Sequence, residues 1–120
     1  MNVLVVDDNA FMRNVLKMNL KKAGCEIAGE AADGEECLKK YKELNPDLVL
    51  MDINMPGMNG LECLEHLKEI DKHVKLMLCS AIAEAPVIFE AMEMGALDYI
   101  TKPISPETLQ EKIKVIKSMV

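Results

Sequence analysis

Asp7 and Asp8 stand side by side after the apolar run Val3–Val6, and Asp52 follows the apolar run Leu48–Met51. Ser80 follows the run Lys75–Cys79, and Lys102 comes just after Leu97–Ile100, in Thr101-Lys102-Pro103. If the first and third runs are neighbours, the carboxylates of Asp7, Asp8 and Asp52 converge in one crevice. Like charges packed together raise each other's pKa unless a cation intervenes. A hard divalent cation with oxygen ligands answers that need, and Mg²⁺ accepts one or two carboxylates together with waters and phosphate oxygens. One acid per loop would be ordinary capping, but a paired Asp7-Asp8 plus a third aspartate at another run's end is harder to read that way. A nucleophilic carboxylate, a metal, an ammonium and a hydroxyl donor are what phosphoryl transfer needs, because its catalysis is mostly positioning and charge neutralisation.

The elements that must position these groups alternate regularly. Short apolar runs at Val3–Val6, Cys25–Ala28, Leu48–Met51, Lys75–Cys79 and Leu97–Ile100 are bounded by turn residues, as buried parallel strands are. A helical stretch follows each one. The first carries Met12, Val15, Leu16, Leu20 and Ala23 on one face and stops at Gly24. After the turn signal Asp33-Gly34, the second places Cys37, Leu38 and Tyr41 at helical spacing and ends before Asn45-Pro46. The third is predicted over Gly60–Glu69, burying Leu61, Leu64 and Leu67. The fourth is predicted over Ala85–Met94, with Ile88, Ala91 and Met92 inward and Gly95 as its stop. The last begins at Ser105-Pro106-Glu107, an N-cap followed by a proline suited to the first turn, and buries Leu109, Ile113 and Ile116. Strand–helix units in this alternation predict an α/β fold, a doubly wound parallel sheet with helices on both faces and right-handed crossovers. In such sheets ligands bind beyond the carboxyl ends of the strands, where strand order reverses. Asp7, Asp8, Asp52, Ser80 and Lys102 all fall on that rim.

A chain of 120 residues is expected to hold one domain, here 1–120, with 50% hydrophobic and 28% charged residues, a composition that argues against disorder. The net charge of −6 argues against nucleic acid as a partner, and Lys112, Lys114 and Lys117 read as a solvated helix face. No apolar run approaches the ~18 residues of a membrane span. The N-terminus lacks a basic region and a small-residue cleavage site. Cys25, Cys37, Cys63 and Cys79 form no C-x-x-C pair and sit in apolar patterns, which reads as reduced core residues in a cytoplasmic protein. The ten methionines are expected as core filler.

Asp7-Asp8, the segment Asp52-Ile53-Asn54-Met55-Pro56-Gly57-Met58-Asn59-Gly60, Ser80-Ala81 and Lys102-Pro103 resemble, in order and spacing, the receiver domain of two-component response regulators. The resemblance spans the whole chain. Val6-Asp7-Asp8-Asn9-Ala10-Phe11-Met12-Arg13 looks most like the single-domain chemotaxis branch, and Gly95-Ala96-Leu97-Asp98-Tyr99 also resembles the receiver half of chemotaxis methylesterases. The resemblance implies a (βα)5 flavodoxin-like sandwich with strand order 2-1-3-4-5, for which chemotaxis receivers are themselves a standard example. It implies that Asp52 accepts a phosphoryl group from a histidine kinase. Mg²⁺ would be held by Asp8, Asp52 and the Asn54 backbone carbonyl, with Asp7 acting through a bound water. Ser80 and Lys102 would hydrogen-bond the phosphoryl oxygens, Tyr99 would be the switch aromatic, and the Lys102-Pro103 bond would be cis. The downstream partner would be a flagellar or archaellar motor component or its adaptor, and the chain a cytoplasmic monomer that catalyses only its own phosphorylation and dephosphorylation. Three positions depart from the common pattern: Ser80 stands where threonine is commoner, Ile104 where many members have phenylalanine, and Ile82 where some carry a polar residue.

Two alternatives stay on the table. One is a receiver module cut from a longer regulator with a DNA-binding or methylesterase effector domain. The other is a haloacid-dehalogenase-like phosphatase, which typically needs an aspartate two residues after the nucleophile as general acid. Asn54 holds that place and cannot serve.

Overall fold

The computed structural model describes residues 1–81 and 85–119. The alternating runs become β1 (Asn2–Val6), α1 (Ala10–Lys22), β2 (Glu26–Ala31), α2 (Gly34–Leu44), β3 (Leu48–Asp52), α3 (Gly60–Ile70), β4 (Leu76–Ser80), α4 (Ala85–Glu93), β5 (Asp98–Thr101) and α5 (Pro106–Lys117). All strand pairs are parallel, in the order β2-β1-β3-β4-β5. This is the flavodoxin-like doubly wound sandwich.

The unbroken apolar character of the central strands follows from burial on both faces. Side chains alternate across a strand, so Leu4, Val6, Val49, Met51, Leu76 and Leu78 form one core with residues of α2 and α3. Val3, Val5, Leu48, Leu50, Met77 and Cys79 form the other with Leu16 and Leu20 of α1 and Leu109, Ile113 and Ile116 of α5. All four cysteines are free and buried. The methionines divide: Met51, Met55 and Met77 fill the core, whereas Met18, Met92 and Met119 are exposed.

Local signals set the helix starts. Asn9, Asp33, Asn59 and Ser105 each accept a hydrogen bond from a first-turn amide, and Asn59 with Glu62 completes a reciprocal capping box. Gly95 closes α4 with φ of 102°, a backbone state that glycine adopts without strain. No described helix is long and apolar enough to cross a membrane.

Two expectations need correction. β2 runs from Glu26 to Ala31, later than Cys25–Ala28, and most of it is half-buried. It is the sheet's edge strand, so its outer positions are polar and Gly29-Glu30 continues the strand where the pattern suggested an end. In α4, Met92 is 41% exposed, while Val87, Ala91 and Met94 meet the core. The spacing 87, 91, 94 is one helical stripe. The helix is therefore rotated by about one residue from the stripe expected at Ile88, Ala91 and Met92.

Candidate functional site

The site lies at the carboxyl ends of β1, β3, β4 and β5. Just beyond β1, the Asp7 amide still donates to the Ala31 carbonyl at 3.1 Å, so Asp7 is held in line with the sheet. Its side chain is buried, and its neighbour Asp8 is exposed. Asp7 Oδ1 accepts the Asn9 amide at 2.9 Å. Asp52, the last residue of β3, is 7% exposed, and its Oδ1 accepts the Asn54 amide at 3.1 Å. One carboxylate oxygen from each of Asp7, Asp8 and Asp52 lies within 4.8 Å of the others. Such hard oxygen donors, drawn from two strand ends, suit a small divalent cation.

The opposite wall is cationic. Lys102 Nζ lies 2.9 Å from Asp7 Oδ2 and 3.3 Å from Asp52 Oδ2. Its own amide donates to the Ser80 carbonyl at 2.7 Å, which ties the end of β5 to the end of β4. Ser80 is buried, beside Cys79, which pairs with Asp52 across the sheet. The Lys102-Pro103 bond is cis, as the resemblance implies.

Burial pushes the Asp52 carboxyl above its ordinary value. The Asn54 amide and Lys102 pull the other way, and the Asp7 charge adds to the rise. Burial works against the Lys102 ammonium, but Asp7 and then Asp52 outweigh it, so its pKa is raised and the lysine stays charged. Burial also raises the Cys79 thiol and keeps it inert.

The structure thus gathers Asp7, Asp8, Asp52, Ser80 and Lys102 on one rim. Asn54 lies on the loop directly after Asp52, its side exposed. Tyr99 sits on β5 and is 37% exposed, with Lys112 Nζ 5.6 Å from its ring centre. Ile82 lies outside the described residues. Arg13, which the sequence offers only as the end of the Val6–Arg13 motif, donates its Nη1 to the Asp7 carbonyl at 2.7 Å.

The pattern of the response regulator receiver domain matches residues 3–114, so the chain belongs to that family. Its relatives include a chemotaxis protein CheY of Thermotoga maritima, 46% identical over 114 residues that cover 95% of each chain. Among solved structures it is similar to a CheX–CheY complex with BeF3 and Mg from Borrelia burgdorferi, with TM-score 0.92, 34% identity and coverage of 97% of this chain and 88% of that one. The response regulator domain of Thermotoga maritima CheB superposes with TM-score 0.85 at 37% identity, covering 98% and 94%. The chain is a CheY-like receiver, and such domains are signalling switches rather than enzymes with a separate substrate. The phosphatase alternative is left without support.

Proposed function

We propose that the chain is a phosphorylation-activated switch that relays chemotaxis signals. The observation that carries this reading is the meeting of three carboxylates within 4.8 Å, with a lysine ammonium 2.9 and 3.3 Å from two of them. An Asp52 oxygen attacks the phosphorus of a phosphohistidine on a chemotaxis-type histidine kinase. An O–P bond forms, the P–N bond breaks, and its electron pair stays on the imidazole nitrogen. Lys102 transfers its hydrogen bonds from the carboxylates to the phosphoryl oxygens, and the Ser80 hydroxyl donates to them as well. Asp8, Asp52 and the Asn54 backbone carbonyl would hold Mg²⁺, with Asp7 acting through a bound water. The ion supplies neutralisation of charge on the phosphoryl oxygens. Water later hydrolyses the acyl phosphate, so the chain acts only on itself.

The phosphoryl group adds about −1.5 to −2 charges and three acceptor oxygens. Ser80 moves toward it, Tyr99 fills the space released, and the face made by α4, β5 and α5 changes shape. Phe89, Glu93, Tyr99, Ile104 and Lys112 are its contacts for a flagellar or archaellar motor component or adaptor. Phe89 is 67% exposed, which suits an anchor for a partner. The net charge of −6 supports protein partners over nucleic acid, and the place of action in this reading is the cytoplasm, with the chain acting as a monomer.

Similarity to the CheB receiver favours a second reading, in which the chain is the receiver unit of a longer regulator with a methylesterase effector. A reading frame that continues beyond Val120 would establish it.

Incubation with Mg²⁺ and acetyl phosphate, followed by intact-mass measurement, tests the chemistry. Wild type is expected to gain one phosphoryl group and Asp52→Asn none. An unmodified wild type, or an equally modified mutant, would refute it.

A further inference from the structure

We propose that Arg13 is a positioning residue of the acidic site, held in place by Glu30, and that it fixes the peptide joining Asp7 to Asp8. This inference rests on the magnesium reading given above. Arg13, in the first turns of α1, reaches in two directions. Its Nη1 donates to the Asp7 carbonyl at 2.7 Å, and its Nε donates to Glu30 Oε1 at 3.0 Å. Glu30 lies on β2, and its other oxygen accepts Lys17 Nζ at 2.8 Å.

The carbonyl that Arg13 grips belongs to the peptide between the buried carboxylate and the exposed one. The amide of Asp7 is bonded to Ala31, the residue after Glu30, at 3.1 Å. The Asp7 backbone is therefore clamped on both sides by the end of β2, directly through Ala31 and indirectly through Glu30 and Arg13. The side chain is clamped too, by the Asn9 amide at 2.9 Å and Lys102 at 2.9 Å. Asp8 is exposed, and the direction of its carboxylate follows the plane of the peptide that precedes it. Releasing the Asp7 carbonyl frees that plane to rotate and carries the Asp8 oxygen away from Asp52.

Charge alone predicts the opposite outcome. A guanidinium bonded to the Asp7 carbonyl beside this site repels an incoming cation, so removing it should tighten Mg²⁺ binding if it acted only through its field. Glu30 offsets that field, and the planar fork of arginine supplies both bonds at once. A lysine at the same place keeps the charge but cannot make both bonds in that geometry. The Arg13 side chain is only 18% exposed, so water competes weakly for these bonds.

The test is titration of metal-free protein with MgCl2 by calorimetry, for wild type, Arg13→Gln, Arg13→Lys and Glu30→Gln. Thermal unfolding in EDTA checks that each variant is folded at the titration temperature. Groups that orient metal ligands typically change metal affinity by about tenfold or more. Arg13→Gln and Arg13→Lys should each weaken Mg²⁺ binding about tenfold. Glu30→Gln, which keeps an acceptor and loses only charge, should weaken it less and leaves a readable variant if the Arg13 changes unfold. Unchanged or tighter binding by Arg13→Gln, or full affinity in Arg13→Lys, would overturn the proposal. Failure of wild type itself to bind Mg²⁺ would instead overturn the magnesium reading.

Discussion

Lys102 Nζ and Asp7 Oδ2 meet at 2.9 Å although 95 positions separate them in the chain. The same ammonium reaches Asp52 at 3.3 Å, so one lysine serves as counter-ion for two buried carboxylates. Removing one partner of a buried pair leaves the other charge uncompensated, at about 3 kcal/mol or more. Lys102→Met should therefore lower stability in EDTA by roughly 3 kcal/mol in urea unfolding. Added Mg²⁺ should restore more stability to this variant than it adds to wild type. A variant as stable as wild type in EDTA would remove the ammonium from this role.

The raised pKa of Asp52 has a definite sign for stability. Burial is the main cause, so the folded chain holds the Asp52 proton more tightly than the unfolded chain does. The stability this proton contributes is full below the ordinary carboxylate pKa near 4 and is lost as pH rises through the higher folded value. Asparagine does not titrate. The stability advantage of Asp52→Asn over wild type in EDTA should then grow as pH rises from about 3 to 7. Urea midpoints at successive pH values measure it. A difference that stays flat or shrinks would contradict the assignment.

Gly60 begins α3 against the strand end that presents Asp52. A Cβ there would lie 2.7 Å from Ile53 Cα and 3.1 Å from the Asp52 carbonyl oxygen. Alanine's better helix propensity is worth at most about 1 kcal/mol. Overpacking against backbone costs about 1–3 kcal/mol and wins, because backbone cannot swing aside. Gly60→Ala should lose about 2 kcal/mol, which for a chain of this size lowers Tm by roughly 8 °C. Mg²⁺ affinity should fall with it, since the segment after Asp52 must shift. Calorimetry of unfolding and of metal binding checks both.

Most of this site is legible in the sequence because each group ends an apolar run, and the switch-point rule for open α/β sheets puts those ends on one rim. Asp7, Asp52, Ser80 and Lys102 needed no more than that. The full length of β2 is not legible because an edge strand is only partly covered on each face, with Ile27 on one core and Ala31 on the other, and Gly29-Glu30 reads as a turn until Glu30 is seen bonded to Arg13 and Lys17. The phase of α4 is not legible in the sequence because Val87, Ile88 and Phe89 are all apolar, which leaves several stripes open. Packing chooses Val87 with Ala91 and Met94. Arg13 appears in the sequence only as the end of the Val6–Arg13 motif, and its role is not legible there because a guanidinium that binds a backbone carbonyl imposes no residue type on its partner.

That rotation of α4 bears on the last prediction. With Val87 turned to the core, Phe89 faces outward at 67% exposure, and Met92, one turn on, is also exposed. Tyr99 and Lys112 lie on the adjoining β5 and α5, with Lys112 also bonded to Asp98 at 2.9 Å. An exposed phenylalanine contributes little to folding, so Phe89→Ala should change stability by less than about 0.5 kcal/mol. As a central aromatic of an interface it should cost about 2 kcal/mol of partner binding, roughly 30-fold. Titration of the motor or adaptor partner, with and without beryllofluoride in place of the phosphoryl group, separates the two effects. Weaker binding confined to the activated form ties Phe89 to the switch, whereas equal binding by wild type and variant in both forms rules the residue out as an anchor.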